Sequence, residues 1–230
     1  MLRVTWLGHS AIHLRIGERS VLFDPFLTGN PSYPEGALEK LGDIDLICLT
    51  HGHEDHLGDT VPIAKRTGAT VVTAYEVALY LGSQGVENVE PMNPGGQIEV
   101  AGLQVALTRA YHSSSIHENN VARYLGNPCG IVVRNHEDSF YHAGDTDLFS
   151  DMALIRRLYR PRVGALPIGD RFTMGPRAAA IAQNEFLQMD AVLPIHWGTF
   201  DALTGSADEF QSEVNRGQVL RAQPGETIEI

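Results

Sequence analysis

The chain has 230 residues, 43% apolar and 20% charged, and its 28 acidic against 17 basic side chains leave a formal charge of −11. That length and composition fit one folded domain over residues 1–230 and exclude disordered, collagen-like and low-complexity classes. The acidic balance, with Lys40 and Lys65 the only lysines, argues against a broad face for nucleic acid or anionic lipid and favours a small-molecule partner.

Three short strands open the chain, Arg3–Leu7, Ala11–Ile16 and Ser20–Phe23, broken at Gly8 and Gly17 as an antiparallel meander. A Pro- and Gly-rich loop from Pro25 to Gly36 leads to a buried-type strand, Asp45–Leu49, and to a helix over Leu57–Thr67 that Gly68 stops. Strand Thr70–Thr73 and helix Glu76–Leu81 follow. Strands Gln97–Val100, Leu103–Thr108, Gly130–Asn135 and Ser139–His142 predict a second sheet. Helices Phe149–Tyr159, Pro176–Leu187 and Ala207–Arg216 then alternate with strands Val163–Leu166, Ala191–Pro194 and Gln218–Arg221. Antiparallel hairpins combined with βα units predict an α/β fold, two mixed sheets packed face to face with helices outside.

No apolar run approaches the roughly 20 residues needed to cross a bilayer, and Arg3, Arg15, Glu18, Arg19 and Asp24 interrupt the stretch that a signal peptide would keep apolar. The expectation is a cytoplasmic protein that begins near Met1 and has no membrane partner. Cys48 and Cys129 are too few for a disulfide scaffold, and Cys48, inside Ile47-Cys48-Leu49, reads as a buried thiol.

The strongest chemical signal is His51-Gly52-His53-Glu54-Asp55-His56, four metal-ligand side chains in six positions. The pattern H-x-H-x-D-H arises by chance in roughly one shuffled chain of this composition in a thousand. It follows strand Asp45–Leu49, so His51 and His53 share one face of an extended segment and grip one ion. The turn into the helix swings Asp55 and His56 toward a second ion, while Glu54 faces solvent. Imidazole with carboxylate suits Zn²⁺, and also Mn²⁺ or Fe²⁺. Four ligands do not complete two catalytic sites, and strand ends elsewhere supply His112, Asp145 and His196.

Asp24, the His51-x-His53-x-Asp55-His56 run, His112, Asp145 and His196, in that order, resemble the five motifs of the metallo-β-lactamase superfamily over nearly the whole chain. Within it, Trp6-Leu7-Gly8-His9-Ser10, Asp24-Pro25-Phe26 and Gly144-Asp145-Thr146 resemble the branch of small metal-dependent hydrolases related to ascorbate-6-phosphate lactonase. The resemblance implies a four-layer αβ/βα sandwich with a dinuclear centre at the open edge between the sheets. It implies His51, His53 and His112 on one ion and Asp55, His56 and His196 on the other, with Asp145 and a hydroxide bridging both. Two divalent ions against Asp55, Asp145 and that hydroxide leave about one positive charge for an oxyanion. Asp24 would stand behind a metal-bound imidazole. His9 reads either as an acid or phosphate contact at the site or as a hydrogen-bonded turn histidine.

The loop of Asp170 and Arg171 follows strand Val163–Leu166 at the same edge and is expected to wall the substrate, with Arg171 an anion contact. His117 is placed in a polar loop covering the site, and His142, three residues before Asp145, behind it. Ser113, Ser114 and Ser115 lack a nucleophile elbow and read as loop. The expected function is metal-dependent hydrolysis of a small ester-like substrate by the bridging hydroxide, with a lactone or phosphorylated lactone favoured through the resemblance. A phosphodiester, small or lipid, is the alternative, because both reactions place charge on an oxygen that two metals stabilise. A non-catalytic metal-binding module is the further alternative. Related proteins often form homo-oligomers, and the Ala-rich stretch Ala178–Ile181 reads equally as a contact between copies or as core.

Overall fold

The computed structural model describes residues 1–230. The first sheet opens with the expected meander, β1 (Leu2–Trp6), β2 (Ile12–Ile16) and β3 (Arg19–Phe23). It continues in parallel through β4 (Leu46–Cys48), β5 (Thr70–Ala74) and β6 (Val89–Met92), joined by α1 (Glu54–Leu57), α2 (Thr60–Thr67) and α3 (Tyr75–Ser83). The second sheet begins with the hairpin β7 (Gln97–Val100) and β8 (Leu103–Arg109). A separate ribbon, β9 (Ser115–Glu118) and β10 (Val121–Tyr124), precedes its next strands, β11 (Cys129–Arg134) and β12 (Ser139–His142). Helix α4 (Met152–Tyr159), β13 (Val163–Pro167), α5 (Pro176–Ile181), β14 (Ala191–Ile195), α6 (Ala207–Glu213) and β15 (Gln218–Val219) extend it by parallel pairing. The last strand, β16 (Thr227–Glu229), crosses back to pair antiparallel with β1.

Strand alternation sorts the apolar side chains into layers. Val21 and Phe23 of β3, Leu46 and Cys48 of β4, Val163 and Ala165 of β13, and Leu193 of β14 meet between the sheets. Their neighbours Leu22 and Ile47 face α2 and α3 on one outside, while Leu166 and Val192 face α4 to α6 on the other. The result is the four-layer αβ/βα sandwich.

Several elements depart from the expectations. The helix expected from Leu57 starts at Glu54 and breaks at Gly58, whose left-handed backbone (φ 39°) passes so close to Pro25 and Phe26 that a Cβ there would strike them. The helix expected from Phe149 begins at Met152, and α6 stops at Glu213. Helix α5 continues to Leu187, with Ala182–Leu187 widened to π geometry. His117 lies on strand β9, paired with Ala122, rather than in a loop. Ala179 and Ala180 are buried in the cluster that holds Phe210 of α6 and Val192 of β14, while Ala178 and Ile181 are half-buried. Cys48 is a buried free thiol, as is Cys129. No helix is long and apolar enough to cross a membrane.

This topology gathers chemistry at one edge. The segments after β4, β12 and β14 leave the carboxyl ends of parallel-paired strands, and the β1–β2 and β8–β9 connections join them there.

Candidate metal centre

Strand β4 delivers Thr50 and His51 into the edge. The Asp24 carboxylate, wholly buried, accepts from the Thr50 backbone N–H at 2.8 Å and from its hydroxyl at 2.6 Å. With that proton committed, the Thr50 oxygen accepts from His51 Nδ1 at 3.0 Å, which leaves His51 Nε2 bare. The bare nitrogen lies 2.9 Å from His53 Nδ1, while His53 Nε2, 3.3 Å from the Ser113 hydroxyl, has a partner of its own. Asp24 also accepts from His56 Nδ1 at 2.7 Å, so His56 likewise presents a free Nε2. Ordered backing of this kind is what sets the tautomer of ligating imidazoles.

Asp145 occupies the middle. Its Oδ1 is 3.3 Å from His56 Nε2, and its Oδ2 is 3.1 Å from His196 Nε2 and 3.5 Å from His112 Nε2. The loops of His112 and Asp145 are tied where the Tyr111 N–H donates to the Thr146 hydroxyl at 3.0 Å. His9 Nε2 is 3.1 Å from Asp55, and the His9 carbonyl accepts the His196 backbone N–H at 3.0 Å. Donor atoms therefore converge in three overlapping groups: His51, His53 and His112; His51, His56 and Asp145; and His9, Asp55, His56 and His196.

The electrostatics match. Burial works to lower His56 and His196, but the Asp145 carboxylate prevails, holding His56 well above its ordinary value with help from Asp24 and raising His196 to about 9. Burial works to raise Asp145, yet the His196 and His56 charges hold it well below the carboxylate range; the neighbouring His196 and His9 rings do the same for Asp55. Burial lowers His51, His53 and His112, and lowers His9 to about 4. Buried His56 Nε2, Asp145 Oδ1 and both His196 ring nitrogens have no hydrogen-bond partner. Stranded polar atoms of this kind are costly, and His56 Nε2 and His196 Nε2 both face the Asp145 carboxylate. His56 and His196 hold protons that a divalent cation would displace, and with His51, His53, His112 and the two carboxylates they make a donor set that fits such a cation.

The relatives agree. A family model described as Beta-lactamase superfamily domain matches residues 19–197. A UPF0173 metal-dependent hydrolase from Methanopyrus kandleri is 50% identical over 232 residues, 99% of this chain and 100% of its own. Another, from Chelativorans sp., is 42% identical across 100% of both chains. The solved structure of Igni18, a metallo hydrolase of Ignicoccus hospitalis, superposes with a TM-score of 0.88 at 35% identity over 99% of this chain and 97% of that one. The chain belongs to the metallo-β-lactamase superfamily. Within it, the identities place the chain among the UPF0173 metal-dependent hydrolases.

Around this metallo-β-lactamase centre, the remaining candidates divide. Asp170 and Arg171, both in left-handed backbone, sit on a loop whose Gly169 lies directly against the carbonyl and Nδ1 of His196. Arg171 stacks over the exposed Phe172 ring and has no carboxylate partner. His117 is exposed on the ribbon and belongs to no donor group. His142 packs behind Asp145: its ring stacks on Phe23, Nε2 donates to the Ser10 carbonyl at 3.0 Å, and Nδ1 accepts from Gly144. The Ser114 hydroxyl accepts from the Gly52 N–H and donates to the Leu125 carbonyl, a loop role. Sequence reasoning missed Thr50 and Thr199, the latter 3.0 Å from His9 Nδ1. A hydroxyl directly before the histidine motif could have flagged Thr50, whereas nothing local marks Thr199.

Proposed function

We propose that residues 1–230 form one hydrolase domain that cleaves a small ester-like substrate and would hold two divalent cations for that reaction. His51, His53 and His112 would hold one ion, and Asp55, His56 and His196 the other, with Asp145 shared. Imidazole and carboxylate donors suit Zn²⁺, with Mn²⁺ or Fe²⁺ as alternatives. Such a pair supplies hydroxide at neutral pH and polarises a substrate oxygen.

The chain's own side chains do the rest. Asp24 keeps His51 and His56 in the tautomers that aim Nε2 at the centre. The Asp170 loop, braced against His196, borders the substrate, and the carboxylate-free Arg171 guanidinium is the candidate contact for an anionic group. That guanidinium and the resemblance to ascorbate-6-phosphate lactonase both favour a phosphorylated lactone. The observation that carries the reading is the placement of Asp145 between the histidine groups, within 3.5 Å of His56, His112 and His196.

The test is a panel of lactones, phosphorylated lactones and phosphodiesters offered to protein reloaded with Zn²⁺ or Mn²⁺. Turnover of a lactone that vanishes in Asp145→Asn is expected. Turnover of phosphodiesters alone would transfer the reading to that bond, and no turnover of any member would favour a metal-binding module.

A further inference from the structure

We infer that Thr199 and His9 are positioning residues for Asp55: the threonine hydroxyl holds the histidine ring, and the histidine N–H fixes the rotation of the carboxylate. The inference rests on the two-ion reading, because the site it serves is that of the second ion.

Asp55 is the loosest donor of its group, with its side chain 35% exposed against 0% for His56 and 2% for His196. Its one hydrogen bond comes from His9, Nε2 to Oδ2 at 3.1 Å; His196 Nε2 stands off at 3.7 Å. A carboxylate only accepts, so His9 Nε2 carries a proton. The ring is wholly buried among His56, His196, Phe26 and Phe200. Its Nδ1 is hydrogen-bonded to the buried Thr199 hydroxyl at 3.0 Å.

The backbone leaves His9 little room to adjust. Its φ is +54°, and its carbonyl accepts both the Trp6 indole N–H and the His196 backbone N–H at 3.0 Å. A Cβ on the preceding Gly8 would run into the Ser32 backbone. With the backbone held in place, the open variable is the rotation of the ring, and the Thr199 hydroxyl 3.0 Å from Nδ1 fixes it. Thr199 lies three positions after His196, so one loop supplies both a donor for the second ion and the support for another. The competing arrangement makes His9 Nε2 itself a ligand of the second ion, with Nδ1–H donating to Thr199, and it predicts that His9→Gln rather than Thr199→Val loses that ion.

The experiment challenges Zn²⁺-loaded wild type, Thr199→Val, Thr199→Ser and His9→Gln with graded chelator and counts the metal retained, with circular dichroism confirming the fold. Thr199→Val is expected to release the second ion at about 10- to 100-fold lower chelator with the first ion unmoved. Thr199→Ser, which keeps the hydroxyl, should restore wild-type retention, and His9→Gln, whose amide N–H replaces Nε2–H, should fall between. Thr199→Val releasing both ions as wild type does overturns the inference. So does loss of the second ion in His9→Gln alone, which makes His9 a ligand. Wild type that binds a single ion overturns the two-ion reading itself, before any variant is made.

Discussion

His56 Nδ1 donates to Oδ2 of Asp24 at 2.7 Å, with both side chains sealed from solvent. That contact joins the end of the meander to the metal motif, since the same carboxylate holds Thr50 and, through it, His51. One buried acid thereby orients a donor of each proposed ion.

Replacing Asp24 by Asn keeps the shape and removes the charge-assisted acceptor. Metal affinity should fall about 10- to 100-fold, the usual effect of losing a partner behind a ligand. Competition with a zinc chelator measures it, and wild-type affinity in Asp24→Asn would show that the carboxylate plays no part in retaining metal.

Asp145→Asn separates catalysis from architecture. A hydrolase built on this centre should lose at least about 100-fold in turnover while circular dichroism shows the variant still folded. A variant that hydrolyses normally but unfolds early would assign Asp145 to structure.

Gly144 immediately precedes Asp145 with φ +63°, and a Cβ there would meet the Cys129 carbonyl and Thr50. Gly144→Ala should cost about 1–3 kcal/mol from backbone strain alone, read by urea denaturation. It should also weaken metal retention by shifting Asp145. Unchanged stability would mean that the turn relaxes freely.

His13 gives a pH effect away from the centre. Burial lowers it from its ordinary 6.5 to about 4, with the Arg15 charge adding to the effect, and its ring pairs with the Ser20 hydroxyl at 2.7 Å. The unfolded chain therefore binds the proton first, and the stability associated with neutral His13 is complete above pH 6.5 and lost as pH falls toward 4. The full effect is about 3 kcal/mol. Chemical denaturation of wild type and His13→Gln across that window should show a shallower decline in the variant; parallel curves would contradict the assignment.

What was legible in the sequence follows from how local each signal is. The meander and strands such as β13 and β14 announce themselves through apolar runs between turn residues. Strand β6 hides behind Pro91, which a sheet tolerates because β6 is an edge strand. The ribbon β9–β10 is mostly exposed, and β16 is three residues long, so neither carries an apolar pattern to read. The break at Gly58 depends on the distant Pro25–Phe26 loop, which helical periodicity does not register.

The site divides the same way. Imidazoles and carboxylates in tight spacing are rare enough to stand out, and His51 to His56, His112, Asp145 and His196 all reach the centre. The supports are hydroxyls, common in any chain: Thr50 adjoins the motif, but Thr199 meets His9 only because the first and last loops of the edge fold together across 190 positions. His117 was misplaced because a polar, turn-flanked segment reads as loop when its strand partner is equally polar.

The most direct test of the central claim is metal content per chain by plasma mass spectrometry, after stripping and reloading with Zn²⁺, in wild type and His56→Ala. A dinuclear centre predicts about two ions in wild type, falling toward one in the variant. A single ion, or none, unchanged by the substitution would contradict it.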